Sequence, residues 1–155
     1  MNLGLACGST IVTMSRPDLP EFLRLVQDYG VTRADVVPPI VRALAGHPLV
    51  QRYDVSSLRV VMSSAAPLGA EVQAAAAERT SCLVKQAFGM TEASPATHGL
   101  PDDPAWNRPD SIGPLIPNTE AKLVDAGTGT ELGPDQDGEM WVRGPQIMRE
   151  YLDDP

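Results

Sequence analysis

Near the middle of the chain a threonine and a glutamate stand side by side, Thr91-Glu92, directly after Gln86-Ala87-Phe88-Gly89-Met90. A threonine hydroxyl both donates and accepts hydrogen bonds, and a carboxylate offers hard oxygens of the kind that hold magnesium. Phe88 offers a flat apolar face, and Gly89 lets the backbone pass close to a bound molecule. A plainer arrangement uses the same residues: threonine is a good helix N-cap, an acidic residue suits a first helical turn, and Phe88 can be a core aromatic. A second stretch, Ser63-Ser64-Ala65-Ala66-Pro67-Leu68-Gly69, reads equally as a ligand loop or as an ordinary strand-to-helix connection.

The elements that must position these residues alternate short apolar runs with helical patterns, the signature of a parallel sheet flanked by helices, so the fold class is α/β. Ser9 to Thr13 is β-rich. Asp18 stands where an N-cap belongs, with Pro20 early and Glu21 three residues on, before Phe22, Leu23, Leu25 and Val26; that helix ends at Gly30. Ala34 to Val37 reads as a buried strand stopped by Pro38-Pro39, and Ile40 to Ala45 as a short helix closed by Gly46 and Pro48. Leu58 to Met62 is a strand, Ala70 to Arg79 an alanine-rich helix, and Cys82 to Gln86 a strand running into Ala87-Phe88-Gly89. In open sheets of this kind ligands bind beyond the carboxyl ends of strands, so the loops after Met62 and Gln86 are where chemistry is expected.

From about Asp110 the texture changes. Ser111 to Pro114, Glu120 to Asp125, a Gly127-Thr128-Gly129 turn and Gly138 to Gly144 read as short antiparallel strands, the start of a small antiparallel β subdomain. Pro101 to Pro109 is the connecting loop. Residues 1–109 and 110–155 are therefore expected to be parts of two subdomains. His47 reads as a surface residue at a helix end, His98 as a satisfied loop histidine, and Trp106 and Trp141 as packing residues. Asp102-Asp103 reads as a solvated loop, and Asp135 with Asp137 as a turn.

Composition excludes several classes. The 155 residues carry a formal charge of -8, which leaves no basic footprint for nucleic acid or an anionic membrane surface. No run is long enough to span a bilayer, and the start lacks the features of a signal peptide, so the expected location is cytoplasmic. Cys7 and Cys82 stand far apart without a nearby metal-ligating partner, which suggests neither a zinc site nor a disulfide framework.

At Ser63 to Gly69 and Gln86 to Glu92 the chain resembles the adenylate-forming (AMP-binding) superfamily, and within it acyl-CoA synthetases of the coumarate-CoA ligase kind. Val36 to Val41, Tyr53 to Arg59, Gly138-Glu139, Arg143 to Met148 and Tyr151-Leu152 follow in the family's order and spacing, so the likeness runs essentially end to end. Several ordered matches are far more specific than one short motif. The resemblance implies that residues 1–109 belong to the α/β AMP-binding subdomain. It implies a ligase that activates a carboxylic acid with ATP as acyl-adenylate and passes it to coenzyme A. In that scheme Thr91 and Glu92 are catalytic, Thr91 meeting the α-phosphate and Glu92 holding Mg2+. Ser64, Ala65, Ala66, Pro67, Gln86, Ala87, Phe88, Gly89 and Thr91 form the nucleotide site. Pro95 and Ala96, with Ala93 and Ser94, line the acyl pocket, where small residues suit an aromatic propenoic or medium-chain acid.

Phe88 stands where the family commonly has Tyr, Ala87 where it often has Gly, and Glu150 where it usually has Gly. Three further elements are absent: a phosphate loop with its Lys, a later ribose-binding Asp and the adenylation Lys. The two lysines, Lys85 and Lys122, follow no glycine-rich loop, and Gly127 to Thr130 contains none. By resemblance Met1 falls inside a βα unit and Pro155 precedes the ribose-binding Asp. The chain is therefore expected to be an internal fragment that depends on the remaining parts of a full-length enzyme and forms no acyl-adenylate alone. Two rival readings are an adenylation domain that serves a carrier protein, and a truncated, inactive remnant acting as a scaffold.

Overall fold

A computed structural model describes residues 2–153. The expectations attached to Met1 and Pro155 lie outside them. The chain separates into two units, Met1–Lys85 and Gln86–Pro155, with the boundary inside a strand.

In the first unit, α1 (Asn2–Ala6) is followed by a turn at Gly8 and then by an irregular stretch. Ser9 to Thr13 forms no strand, contrary to its composition. β-branched residues favour a strand only where a pleated neighbour packs against them, and this stretch pairs with none. The next helix forms as its letters dictate: α2 spans Leu19–Tyr29, the Asp18 carboxylate accepts the Glu21 N–H at 2.9 Å, and Gly30 closes it with φ 58°. Phe22, Leu23, Leu25 and Val26 are its buried face. On the other face Arg24 pairs with Glu21 and Asp28, an exposed arrangement worth little in free energy.

β1 (Arg33–Val36) leads into α3 (Pro38–Gly46). The two prolines expected to stop the strand also begin the helix, because a first-turn residue has no intrahelical use for its N–H. His47 ends α3, and its Nδ1 accepts the Leu49 N–H at 3.1 Å as a short 3-10 helix starts. β2 (Val60–Ser63) lies parallel to β1, with Arg33 opposite Val60 and Val36 opposite Ser63. After α4 (Ala70–Thr80) the chain enters β3 (Leu83–Gly89), whose Leu83 N–H donates to Arg59 O at 2.9 Å, giving the order β1-β2-β3. Leu23, Val41, Leu44, Val61, Ala76 and Val84 are wholly buried between helices and sheet. Gln73, buried on α4, offsets its desolvation by donating from Nε2 to Val84 O at 2.9 Å.

In the second unit the rest of β3 pairs antiparallel with β4 (Ala96–Gly99), Ala87 opposite Gly99 and Phe88 opposite His98, so the sheet is not parallel throughout. β5 (Glu120–Val124) and β6 (Glu139–Arg143) form a separate antiparallel pair. The turn after β5 is organised by Asp125, whose Oδ1 accepts from the Gly127 N–H, the Thr128 N–H and the Thr128 hydroxyl. Ser111 to Pro114 is a loop rather than a strand. The isolated bridge between His98 and Leu115 lies just beyond it. Neither tryptophan packs as expected: Trp106 and Trp141 are 55% and 50% exposed. Strand alternation accounts for Trp141, since Met140 and Val142 take the more covered face of β6. Its ring lies under the Lys122 ammonium, 5.1 Å from the centroid, and its N–H donates to Glu139.

Candidate functional site

The predicted residues fall into both units. In the first, β2 ends at Ser63, which is 1% exposed and whose hydroxyl finds no hydrogen-bond partner among the described residues. The Ser64 N–H donates to Val36 O at 3.2 Å, which carries the sheet pattern one residue past the strand. Ala65 then adopts φ 73°, a left-handed conformation that an L side chain resists. Ala65, Ala66 and Pro67 are exposed, and buried Leu68 anchors the loop before Gly69 begins α4. The result is a short stretch of accessible backbone with small side chains.

In the second unit Gln86 is buried, Ala87 and Phe88 are half-buried, and Gly89 is exposed at the strand's end. Phe88 meets His98 edge to face, with ring centroids 6.2 Å apart. His98 lies in β4 rather than in a loop, and its Nδ1 is 2.9 Å from the Thr97 hydroxyl. Burial pushes the His98 pKa below its ordinary value, which favours the neutral ring. Gly89 is glycine for a reason within the fold: a Cβ there would sit 1.9 Å from Pro95 O. The chain doubles back so tightly that the Met90 N–H donates to that same oxygen at 2.7 Å, with a cis Ser94-Pro95 peptide in the return.

Between these points lies a single 3-10 turn, Thr91–Ala93. Its N-cap is Met90, without a side-chain cap, so the Thr91 hydroxyl is not consumed in starting a helix. Thr91 is exposed, Ala93 is fully buried, and Ser94 closes the turn with φ 47°. Glu92 is fastened from a distant segment: its carbonyl accepts the Met148 N–H at 2.8 Å, and its Oε1 accepts the Tyr151 hydroxyl at 2.6 Å. That hydroxyl holds the Glu92 carboxyl below the usual carboxylate range and raises the Tyr151 phenol by the same bond. Glu92 is therefore charged at neutral pH.

An ionised carboxylate held through Oε1 by a phenol fits a magnesium ion that takes its remaining ligands from phosphates and water. No group of three or more His, Cys, Asp or Glu able to hold a metal occurs among the described residues, so an all-protein cage is not formed there. Pro95 is exposed and Ala96 half-buried. Ala96 O accepts from Gln146 Nε2 at 3.4 Å, and the same amide group donates to Thr119 Oγ1 at 2.8 Å.

Gln86 to Gly89, Thr91, Glu92, Pro95 and Ala96 thus share one strand, one turn and one return in the second unit, while Ser64 to Pro67 belong to the first. Sequence reasoning missed Gln146, Met148 and Tyr151 as supports of this turn. Their segments stand out as ordered family matches, yet nothing local tells a residue what it touches 59 positions away.

Comparison with known proteins assigns this geometry to a family. The profile of the AMP-binding enzyme matches residues 1–152. A 4-coumarate-CoA ligase 2 of Narcissus pseudonarcissus is 44% identical over 156 aligned residues, which cover 98% of this chain and 27% of that protein. Among solved structures, ATP-bound MatB from Rhodopseudomonas palustris aligns with TM-score 0.86 and 26% identity over 97% of this chain and 29% of that one. A long-chain-fatty-acid-CoA ligase from Archaeoglobus fulgidus aligns with TM-score 0.83 and 27% identity over 97% of this chain and 32% of that one. The chain spans less than a third of each. No helix among the described residues is long and apolar enough to cross a membrane. The matched profile and the shared fold together mean that the chain belongs to the AMP-binding enzyme family.

Proposed function

We propose that this chain contributes part of the nucleotide site of an ATP-dependent acyl-CoA synthetase, an acid-thiol ligase related to coumarate-CoA ligases. A carboxylate oxygen attacks the α-phosphorus of ATP, a P–O bond forms as the bond to pyrophosphate breaks, and the acyl-adenylate results. The thiol of coenzyme A then attacks the acyl carbon and AMP leaves with its bonding electrons. The proposal rests chiefly on Glu92, a charged, fastened carboxylate one residue after an uncommitted threonine hydroxyl at the end of β3.

Negative charge grows on the phosphoryl oxygens in the transition state, so a donor fixed in advance lowers the barrier without later reorganisation. Thr91 donates to an α-phosphate oxygen. Glu92 holds Mg2+, which supplies charge neutralisation at the phosphates. In the second unit Phe88 stacks on adenine and Gln86, Ala87 and Gly89 bound its pocket; in the first, Ser64 to Pro67 are nucleotide-binding residues that offer backbone groups. Ala93 to Ala96 form one wall of an acyl pocket for an aromatic propenoic or medium-chain acid. Residues 1–109 and 110–155 act as parts of the AMP-binding and small β subdomains, in a cytoplasmic enzyme.

The test is carboxylate-dependent exchange of pyrophosphate into ATP by the purified enzyme that contains this chain, across aromatic and aliphatic acids. Exchange that requires an acid, followed by coenzyme A-dependent release of AMP, is expected. Absence of exchange with every acid would remove the ligase reading.

A further inference from the structure

We infer that Tyr151 is a positioning residue for Glu92, holding one carboxylate oxygen so that the other meets the metal in a set direction. The inference rests on the reading of Glu92 as the magnesium ligand. Three observations carry it. The phenol-to-carboxylate distance of 2.6 Å is that of a charge-assisted hydrogen bond. The same segment grips the same residue twice, since the Met148 N–H donates to Glu92 O at 2.8 Å only three positions before Tyr151. Finally, the 3-10 turn of Glu92 has no side-chain cap, and among the described residues Tyr151 is the side chain that bonds the carboxylate, the other hydrogen bond to it coming from the glutamate's own backbone.

A glutamate side chain left to itself samples several rotamers, and binding a cation would then carry the entropy of choosing one. With Oε1 held by Tyr151, that choice is made before the ligand arrives. Packing explains the tyrosine poorly: Tyr151 is 48% exposed and its neighbour Leu152 is 92% exposed, so the segment gains little by burial. Its hydroxyl is the part in use. Outer-shell partners of metal ligands act in this way generally, setting the orientation of the ligating atom rather than touching the metal.

The test uses the enzyme that contains this chain, with ATP present, and compares Tyr151→Phe, Glu92→Gln and the double variant. Mn2+ binding is followed by water-proton relaxation, independently of turnover, and the Mg2+ dependence of rate is measured alongside. Tyr151→Phe should weaken Mn2+ binding about 10-fold, as loss of an outer-shell partner does. Its kcat at saturating Mg2+ should fall much less than its metal affinity. Glu92→Gln should weaken binding further, and adding Tyr151→Phe to it should have little extra effect. Unchanged Mn2+ affinity in Tyr151→Phe, with Glu92→Gln impaired, would overturn the positioning role and leave the metal reading intact. Unchanged affinity in Glu92→Gln would overturn both. A thermal midpoint that falls in Tyr151→Phe without any change in Mn2+ affinity would mark a merely structural tyrosine and likewise overturn the inference.

Discussion

The loop after β2 and the turn after β3 are built in opposite ways. Between Ser63 and Gly69 the chain is fastened at its ends, by the Ser64 N–H on Val36 and by buried Leu68, while Ala65 to Pro67 lie exposed. From Gly89 to Pro95 the backbone bonds to itself repeatedly: Met90 to Pro95, Ala93 to Met90, and Ser94 to Thr91. Glu92 is tied from outside by Met148 and Tyr151. An open loop suffices where a ligand is met by shape and backbone groups. A charge needs a fastened turn, because its effect on a reacting centre depends steeply on distance and direction.

That contrast predicts that the second segment tolerates change poorly and the first tolerates it well. The largest effect should come from Glu92→Ala, which removes the fixed charge and should lower acid-dependent pyrophosphate exchange about 100- to 1,000-fold, as loss of one preorganised group does. Unchanged exchange would take Glu92 out of the mechanism. Next is Gly89→Ala, where the new methyl meets a backbone carbonyl that no rotamer change can move aside. It should cost about 1–3 kcal/mol of stability, read as a lower thermal midpoint, and a neutral result would contradict the tight return at Pro95.

The first loop should respond in the other direction. Ala65→Gly relieves the left-handed alanine, and after the larger unfolded-state entropy of glycine is subtracted it should stabilise by about 0.5–1 kcal/mol. Destabilisation on the same thermal assay would mean that the alanine methyl has a packing role. The smallest change is expected from Ser63→Ala. Removing a buried hydroxyl without a partner should be neutral or stabilising by up to about 1 kcal/mol in denaturant unfolding. A clear loss would show that this oxygen is bonded after all, and the two segments would then be less different than their geometry suggests.

Much of the architecture was legible in the sequence because its signals are local. Asp18 and Gly30 bracket a helix through the hydrogen bond of one and the φ of the other. The strand at Ala34, the alanine-rich helix from Ala70 and the strand into Phe88 declare themselves by apolar runs and propensity. Ser9 to Thr13 misleads for a physical reason: β-rich composition describes a residue's fit to a neighbouring strand, and this stretch forms no strand pairing among the described residues. The tryptophans mislead similarly, since size argues for burial while strand alternation decides which face Trp141 occupies.

For the candidate site the division is sharper. The sequence by itself determined the residue types: a threonine beside a carboxylate, an aromatic before a glycine, and small residues after them, in an order shared with a known family. It also singled out Gly89, as a place where the backbone passes close to a bound molecule. Only the tertiary structure decided that the glycine answers to Pro95, that Met90 rather than Thr91 caps the turn, and that Glu92 is held by a tyrosine 59 positions away. Propensity and periodicity act over a few residues, whereas the direction in which a carboxylate points is settled by whatever the folded chain brings against it.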